Sequence, residues 1–243
     1  LLSLAAAIAI MTVAIAPAAA ITKNYLPDPD HPFVGLVAFY DKDGVFSHRC
    51  TGELLAPKVL LTAGHCTDNE AGGVNASARV WFQQEVGKYY DPATELDPTT
   101  GYPEYCAQGT LGKLCAESTE MYNYGFDNFA GFPDTHDVGV VILKQAITMP
   151  VYATLAGAGT LNSLDRAKGV QDKDFRVSGY GISFRNQAGA TISYRVRLQA
   201  VSQLVNTVAP YNDGYNIQLN GNGSDRGGTC SGDSGGPVFW PQG

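Results

Sequence analysis

The chain reads as short apolar runs broken by turn residues, and no stretch keeps a helical period or a repeat of fixed length. Phe33–Tyr40, "FVGLVAFY", predicts a strand, Asp41–Gly44 a turn, and Val45–Leu55 one further strand or two. Lys58–Thr62 predicts a short apolar strand and "ARVWFQQ" at 78–84 another. The unbroken apolar run in "HDVGVVILK" at 136–144 predicts a buried strand that starts at Asp137. Between these, residues 88–130 carry six Tyr and many polar and turn residues, and predict an inserted loop stapled by a small disulfide. Residues 145–165, rich in Ala, Gly and Thr, predict a linker. "DFRVSGYGIS" (174–183), "YRVRLQAVSQL" (194–204) and "YNIQLN" (215–220) then supply strands of a second unit. The expected class is all-β.

Composition narrows the setting. The 243 residues are 44% hydrophobic, enough for one sizeable core or two small barrels. A net charge of −7 without a basic run argues against nucleic acid as partner. Residues 1–20 carry no charge and end in Ala18-Ala19-Ala20, which reads as the apolar and cleavage regions of a secretory signal rather than a membrane anchor. The expected protein is exported, free of the membrane after signal removal, and monomeric. Five cysteines suit export: Cys50 and Cys66 can pair, as can Cys106 and Cys115, leaving Cys230 over. The partner of Cys230 is expected beyond Gly243, with the chain a fragment that stops before the closing strands of its second unit.

"GTCSGDSGGPVFW", residues 228–240, packs small residues around Ser234. Glycines there let backbone N–H groups approach a ligand closely. Hydrolysis by serine needs a base, a group that orients the base, and donors for the oxyanion. Of four histidines, His65 follows an apolar strand and abuts Cys66. A Cys50–Cys66 bond would fix its backbone and contribute about 3 kcal/mol. Asp137 beside an apolar run needs a partner, and an imidazole N–H supplies one. The order His, Asp, Ser excludes an α/β-hydrolase, which runs Ser, acid, His.

Together "LTAGHC" (61–66), "HDVGVVIL" (136–143), "VSGYG" (177–181) and "GTCSGDSGGP" (228–237) resemble the landmarks of chymotrypsin-like serine endopeptidases, in the family's order and over about residues 30–240. The resemblance implies two six-stranded antiparallel β-barrels with the site between them. Residues 21–150 would form the first barrel, with the inserted loop at 88–130, and 151–243 an incomplete second. It implies His65 as general base, Asp137 as its orienter, Ser234 as nucleophile, and the N–H groups of Gly232 and Ser234 as oxyanion donors, with Asp233 shaping that hole. It implies the Cys50–Cys66 bridge, a protein or peptide substrate and no cofactor. Gly228, six residues before the serine, matches the base of the specificity pocket; lacking charge, it predicts an apolar or small side chain before the cleaved bond, and Asp225 is too far away to count.

The chain departs from the family in three places. Gly64 stands where Ala is commoner, the 72 residues from His65 to Asp137 exceed the usual gap, and the Ile-Val-Gly-Gly start is absent. Cleavage after Ala20 would free Ile21, whose α-amine could pair with Asp233. The missing glycines at Thr22, Lys23 and Asn24 favour instead a loose leader over 21–30 and an internal partner for Asp233.

The other candidates carry plainer readings. His48 and His136 are expected to be surface or packing residues. A zinc site of His48, Cys50, His65 and Cys66 fits no common ligand spacing. Asp28, Asp30, Asp91 and Asp97 read as solvated loop charges, with calcium the rarer reading. Asn75-Ala-Ser77 and Asn222-Gly-Ser224 match the glycosylation pattern and are acceptors only in a source that glycosylates. Two functions compete with the endopeptidase: a protease-like binding protein without catalysis, and an esterase on the same triad.

Overall fold

The computed structural model describes residues 21, 23–68, 75–106, 114–164, 173–185, 191–192 and 195–240. Six antiparallel strands close into a barrel: β2 (Val34–Tyr40), β3 (Phe46–Ala56), β4 (Val59–Thr62), β7 (Gly139–Leu143), β6 (Cys115–Asn123) and β5 (Ser77–Trp81), in that order around it. Every residue of β2 is buried, as its continuous apolar run predicts. β4 and β7 alternate, turning Leu60, Val141 and Leu143 into a core shared with Leu36, Leu54 and Trp81. Gly52 lets neighbouring strands close in, since a Cβ there would lie 2.6 Å from the Leu61 carbonyl oxygen.

Residues 88–130 are therefore not one inserted loop. Cys115–Asn123 is a barrel strand that pairs with both β5 and β7 and completes the closure. Its sequence, "CAESTEMYN", buries only the first two residues, so it lacks the apolar alternation by which strands are read. The loop ahead of it is tied to its start by a Cys106–Cys115 disulfide. Asp91 and Asp97 accept backbone N–H groups within that loop's turns, and the Asp97 carboxyl lies below its usual range, chiefly through the Thr100 N–H.

The second unit is an open sheet. β1 (Leu26–Pro27), β11 (Leu198–Asn206), β8 (Asp174–Gly179) and β13 (Val238–Phe239) lie side by side, and β12 (Gln218–Asn220) pairs with β11. β9 (Phe184–Arg185) and β10 (Thr191–Ile192) form a separate two-stranded ribbon. β1 shows that the N-terminal segment, grouped by sequence with the first barrel, belongs to the second sheet. Ile21 packs there against Val177, Leu198 and Ala200. Among the described residues no helix is long and apolar enough to cross a membrane, and the signal reading of 1–20 falls outside them.

Candidate active site

His65 sits on the four-residue helix Gly64–Thr67, directly after β4. A disulfide joins its neighbour Cys66 to Cys50 in β3. Gly64 lets this helix approach the turn that carries Asp137, since a Cβ there would meet Val138 N at 3.0 Å and Phe126 Cβ at 3.1 Å. Asp137 lies two residues before β7, not within a strand. His136 just ahead adopts φ +49°, and Val138 N–H bonds back to the His136 carbonyl at 2.7 Å. That tight turn aims the Asp137 side chain sideways, towards His65.

The Asp137 carboxylate grips the histidine at two places. Oδ1 accepts the His65 backbone N–H at 2.8 Å, and Oδ2 lies 2.9 Å from Nδ1. An ionised carboxylate only accepts, so Nδ1 carries the proton and Nε2 keeps its lone pair. Burial pushes the Asp137 carboxyl up, but the hydrogen bonds from His65 outweigh it and hold the group below its usual range. Phe126 walls the pair, its ring 5.7 Å from that of His65.

Sequence reasoning missed the residue that ties this corner together. Asn123, the last residue of β6, donates to the Gly64 carbonyl at 2.8 Å and to Asp68 Oδ1 at 2.9 Å. Its own Oδ1 accepts the N–H groups of Gly125 and Phe126. One amide thus holds the helix of His65 and the start of the loop with Phe126. A lone Asn inside a segment read as loop offers no sequence signal for this.

Ser234 is brought to the same corner from the far end of the chain. Its carbonyl accepts the Thr51 N–H at 2.9 Å and lies 3.8 Å from Cys66 Sγ, beside the His65 helix. Gly235, at φ +76°, shows why the flanking residues are small: a Cβ there would lie 2.2 Å from Thr62 Oγ1 and 2.5 Å from Ala63 N. Gly232, at φ +97°, turns the chain just before Asp233.

Asp233 is 4% exposed and accepts three N–H groups: Gly181 at 2.8 Å, Cys230 at 3.0 Å and Ile21 at 3.2 Å. Burial nonetheless pushes its carboxyl up to about 6. Ile21, 1% exposed, is thus no loose leader, and the missing glycines do not keep it from reaching Asp233. At Gly228 a Cβ would meet only the Gly221 backbone, at 3.6 Å and beyond.

The plainer readings divide. His48 packs flat on Phe39 and donates Nε2–H to the Cys66 carbonyl at 2.8 Å, and His136 packs edge-on to Tyr124. His31 stacks on Phe239. Cys50, His65 and Cys66 cluster closely enough to hold a metal, but the two sulfurs are bonded to each other and present no thiolate. Asp30 is exposed, whereas Asp28 is fully buried and is not the solvated loop charge expected of it. Asn75 is buried too, with its amide nitrogen donating to the carbonyls of Cys66 and Asp68, which removes it as a glycan acceptor; Asn222 lies exposed.

Residues 26–243 match the family described as Trypsin. The chain belongs to the trypsin family. Among curated proteins of that kind, it is 25% identical over 126 residues to the CLIP domain-containing serine protease B10 of Anopheles gambiae, covering 52% of this chain and 33% of that protein. It is 59% identical over 27 residues to proproteinase E of Bos taurus, covering 11% of each. The trypsin-family chain thus spans a third or less of the curated relatives it matches. Its fold is similar to that of the solved structure of HL collagenase, with a TM-score of 0.54, 18% identity, and coverage of 86% of this chain and 76% of that one. It is similar also to the structure of GrC, with a TM-score of 0.56, 15% identity, and coverage of 90% and 83%. Both likenesses are to the chymotrypsin-like fold.

Proposed function

We propose that this trypsin-family chain is a secreted serine endopeptidase that cleaves peptide bonds through an acyl-enzyme, with His65, Asp137 and Ser234 as its triad. The observation that carries the reading is the double hydrogen bond from His65 to Asp137, set beside the Ser234 turn through Cys66. With Nδ1–H committed to Asp137, His65 Nε2 takes the Ser234 hydroxyl proton as Oγ attacks the substrate carbonyl. The N–H groups of Gly232 and Ser234 receive the oxyanion, and Asp137 stabilises the imidazolium. The imidazolium then protonates the departing amine, leaving an acyl-Ser234 ester that water hydrolyses by the same steps in reverse.

A fluorophosphonate reagent tests this. Ser234 should be labelled, and peptide substrates should turn over. No label would favour the binding-protein reading; ester turnover without peptide turnover would favour the esterase.

The uncharged Gly228 supports a preference for an apolar or small side chain before the cleaved bond. Profiling on a peptide library checks this, and a strong preference for Arg or Lys would refute it.

The Ile21 contact supports activation by signal removal alone. Cleavage after Ala20 turns the Ile21 nitrogen from a neutral amide into an ammonium against Asp233. In the uncut chain the Asp233 carboxyl is raised from 3.8 to about 6. A raised acid stabilises the fold below its unfolded pKa and loses that contribution as pH rises through the folded one. The uncut chain should therefore lose up to about 3 kcal/mol between pH 4 and pH 7, while the cleaved chain, with its ammonium in place, should not. Thermal melts of both forms at the two pH values test this, and equal pH dependence would count against the activating pair.

A further inference from the structure

Asp28 is a charged side chain with no role in the chemistry above, yet it is fully buried. His31 Nδ1 lies 2.7 Å from Oδ1 and 2.9 Å from Oδ2. The Ser178 hydroxyl donates to Oδ2. The backbone is held as well: Asp28 N–H donates to the Arg197 carbonyl at 3.1 Å, and Arg197 Nε donates to the Asp28 carbonyl at 2.8 Å. Arg197 is itself buried, and its Nη1 reaches the carbonyls of Val34 and Phe82 and the Tyr180 hydroxyl. Burial raises the Asp28 carboxyl, but the bonds from His31 and Ser178 and the Arg197 charge bring it below its usual range, so it stays ionised.

The segment ahead of Asp28 is held more loosely. Among its described residues only Leu26 and Pro27 pair with β11, and Leu26 is 65% exposed. Asn24 and Gln199 add one side-chain bond each. A two-residue ladder specifies register weakly. Asp28 lies seven residues from Ile21, and its donor Ser178 belongs to the same strand end that meets Asp233. Ser178 binds Asp28, while Gly181, three residues on, donates to Asp233 Oδ1. Between them Tyr180 N–H bonds Thr51 Oγ1, which donates to the Gly232 carbonyl at 2.8 Å. The "VSGYG" segment thus contacts the N-terminal anchor at one end and the serine turn at the other.

We propose that Asp28 is a positioning residue: clamped by His31, Ser178 and Arg197, it sets the register of residues 21–27, so that the Ile21 nitrogen lands on Asp233 and the Ser234 turn keeps its reactive form. The inference rests on the serine endopeptidase reading and on an N-terminus at Ile21. His31 is a second member of the clamp, because it joins the Asp28 carboxylate to Phe239, five residues after Ser234.

The test uses the processed secreted protein, its N-terminus first sequenced, as wild type, Asp28→Asn and Asp28→Ala. Two readouts are taken: kcat and KM on a peptide substrate, and labelling of the Ile21 α-amine by an amine-reactive reagent, read by mass spectrometry. Wild type should keep Ile21 protected. Both variants should expose it and lose about 10- to 100-fold in kcat, the factor set by losing hydrogen bonds to a buried charge, with KM nearly unchanged. The dipeptide Ile-Thr, a copy of the first two mature residues, should restore much of the lost kcat, which a general loss of stability would not allow. If Asp28→Ala fails to fold, Asp28→Asn and Ser178→Ala carry the same comparison. A folded variant with Ile21 still protected and kcat unchanged overturns the proposal, and so does a mature N-terminus elsewhere. Wild type that protects Ile21 but hydrolyses nothing defeats the endopeptidase reading alone; exposure of Ile21 in the variants would then still support the register role.

Discussion

Ser234→Ala is expected to lower kcat for peptide hydrolysis by about 10⁶, to a residue set by binding and the oxyanion donors. The loss is this large because no neighbour can replace the hydroxyl: the adjacent positions are Asp233, buried and committed to three N–H groups, and Gly235. His65→Ala should cost a similar factor, and the double variant little more, since base and nucleophile act as one unit. Folding should be spared. The Ser234 turn is held by its main-chain carbonyl on Thr51 N–H and by the glycines around it, and none of these contacts uses the hydroxyl. The decisive measurement is steady-state hydrolysis by purified variants, with a thermal melt as control. Undiminished peptidase activity in a cleanly folded Ser234→Ala variant would remove the triad assignment.

Asp137→Asn should lower kcat by about 10⁴, a magnitude carried over from the family's triad. An amide can accept on one side only. Turned to satisfy the His65 backbone N–H with its oxygen, it presents an NH₂ to Nδ1 and forces the ring proton onto Nε2, where it blocks the base. The stability effect has the opposite pH sense to that of Asp233. A carboxyl held below its usual range stabilises the fold above the unfolded pKa of 3.8 and loses that contribution as pH falls through the folded value. Wild type should therefore lose this contribution on acidification below about pH 4, and Asp137→Asn should not. Activity assays at pH 7, with melts from pH 2 to 7, read both effects. A kcat within tenfold of wild type would mean that Asp137 does not orient the base.

Some of the architecture was legible because local pattern and tertiary role agree. β2 is buried along its whole length, so its apolar run announces it; β4 and β7 follow from short apolar runs, and β3 and β5 from strand-forming residues bounded by turns. β6 was illegible for the converse reason. Its outward residues are polar and only its first two are buried, so what makes it a strand is the pair of neighbours β5 and β7, which no local window contains. Asp28 misled in the same way: an aspartate between prolines reads as a solvated turn until Ser178 and Arg197, at least 150 residues away, are brought onto it.

What the sequence determined by itself is chemical identity and order: an all-β chain, three candidate catalytic side chains, and small residues flanking the serine. These are legible because each rests on residue type within a few neighbours: a glycine at a positive φ, a cysteine beside a histidine, an apolar run of strand length. Only the tertiary structure decided that Asp137 reaches His65 from a turn rather than a strand, that Asn123 holds both sides of that corner, and that Ile21 meets Asp233 across 212 residues. Such contacts depend on loop closure and on burying charges where donors converge, and those energies belong to the assembled fold rather than to any stretch of the chain.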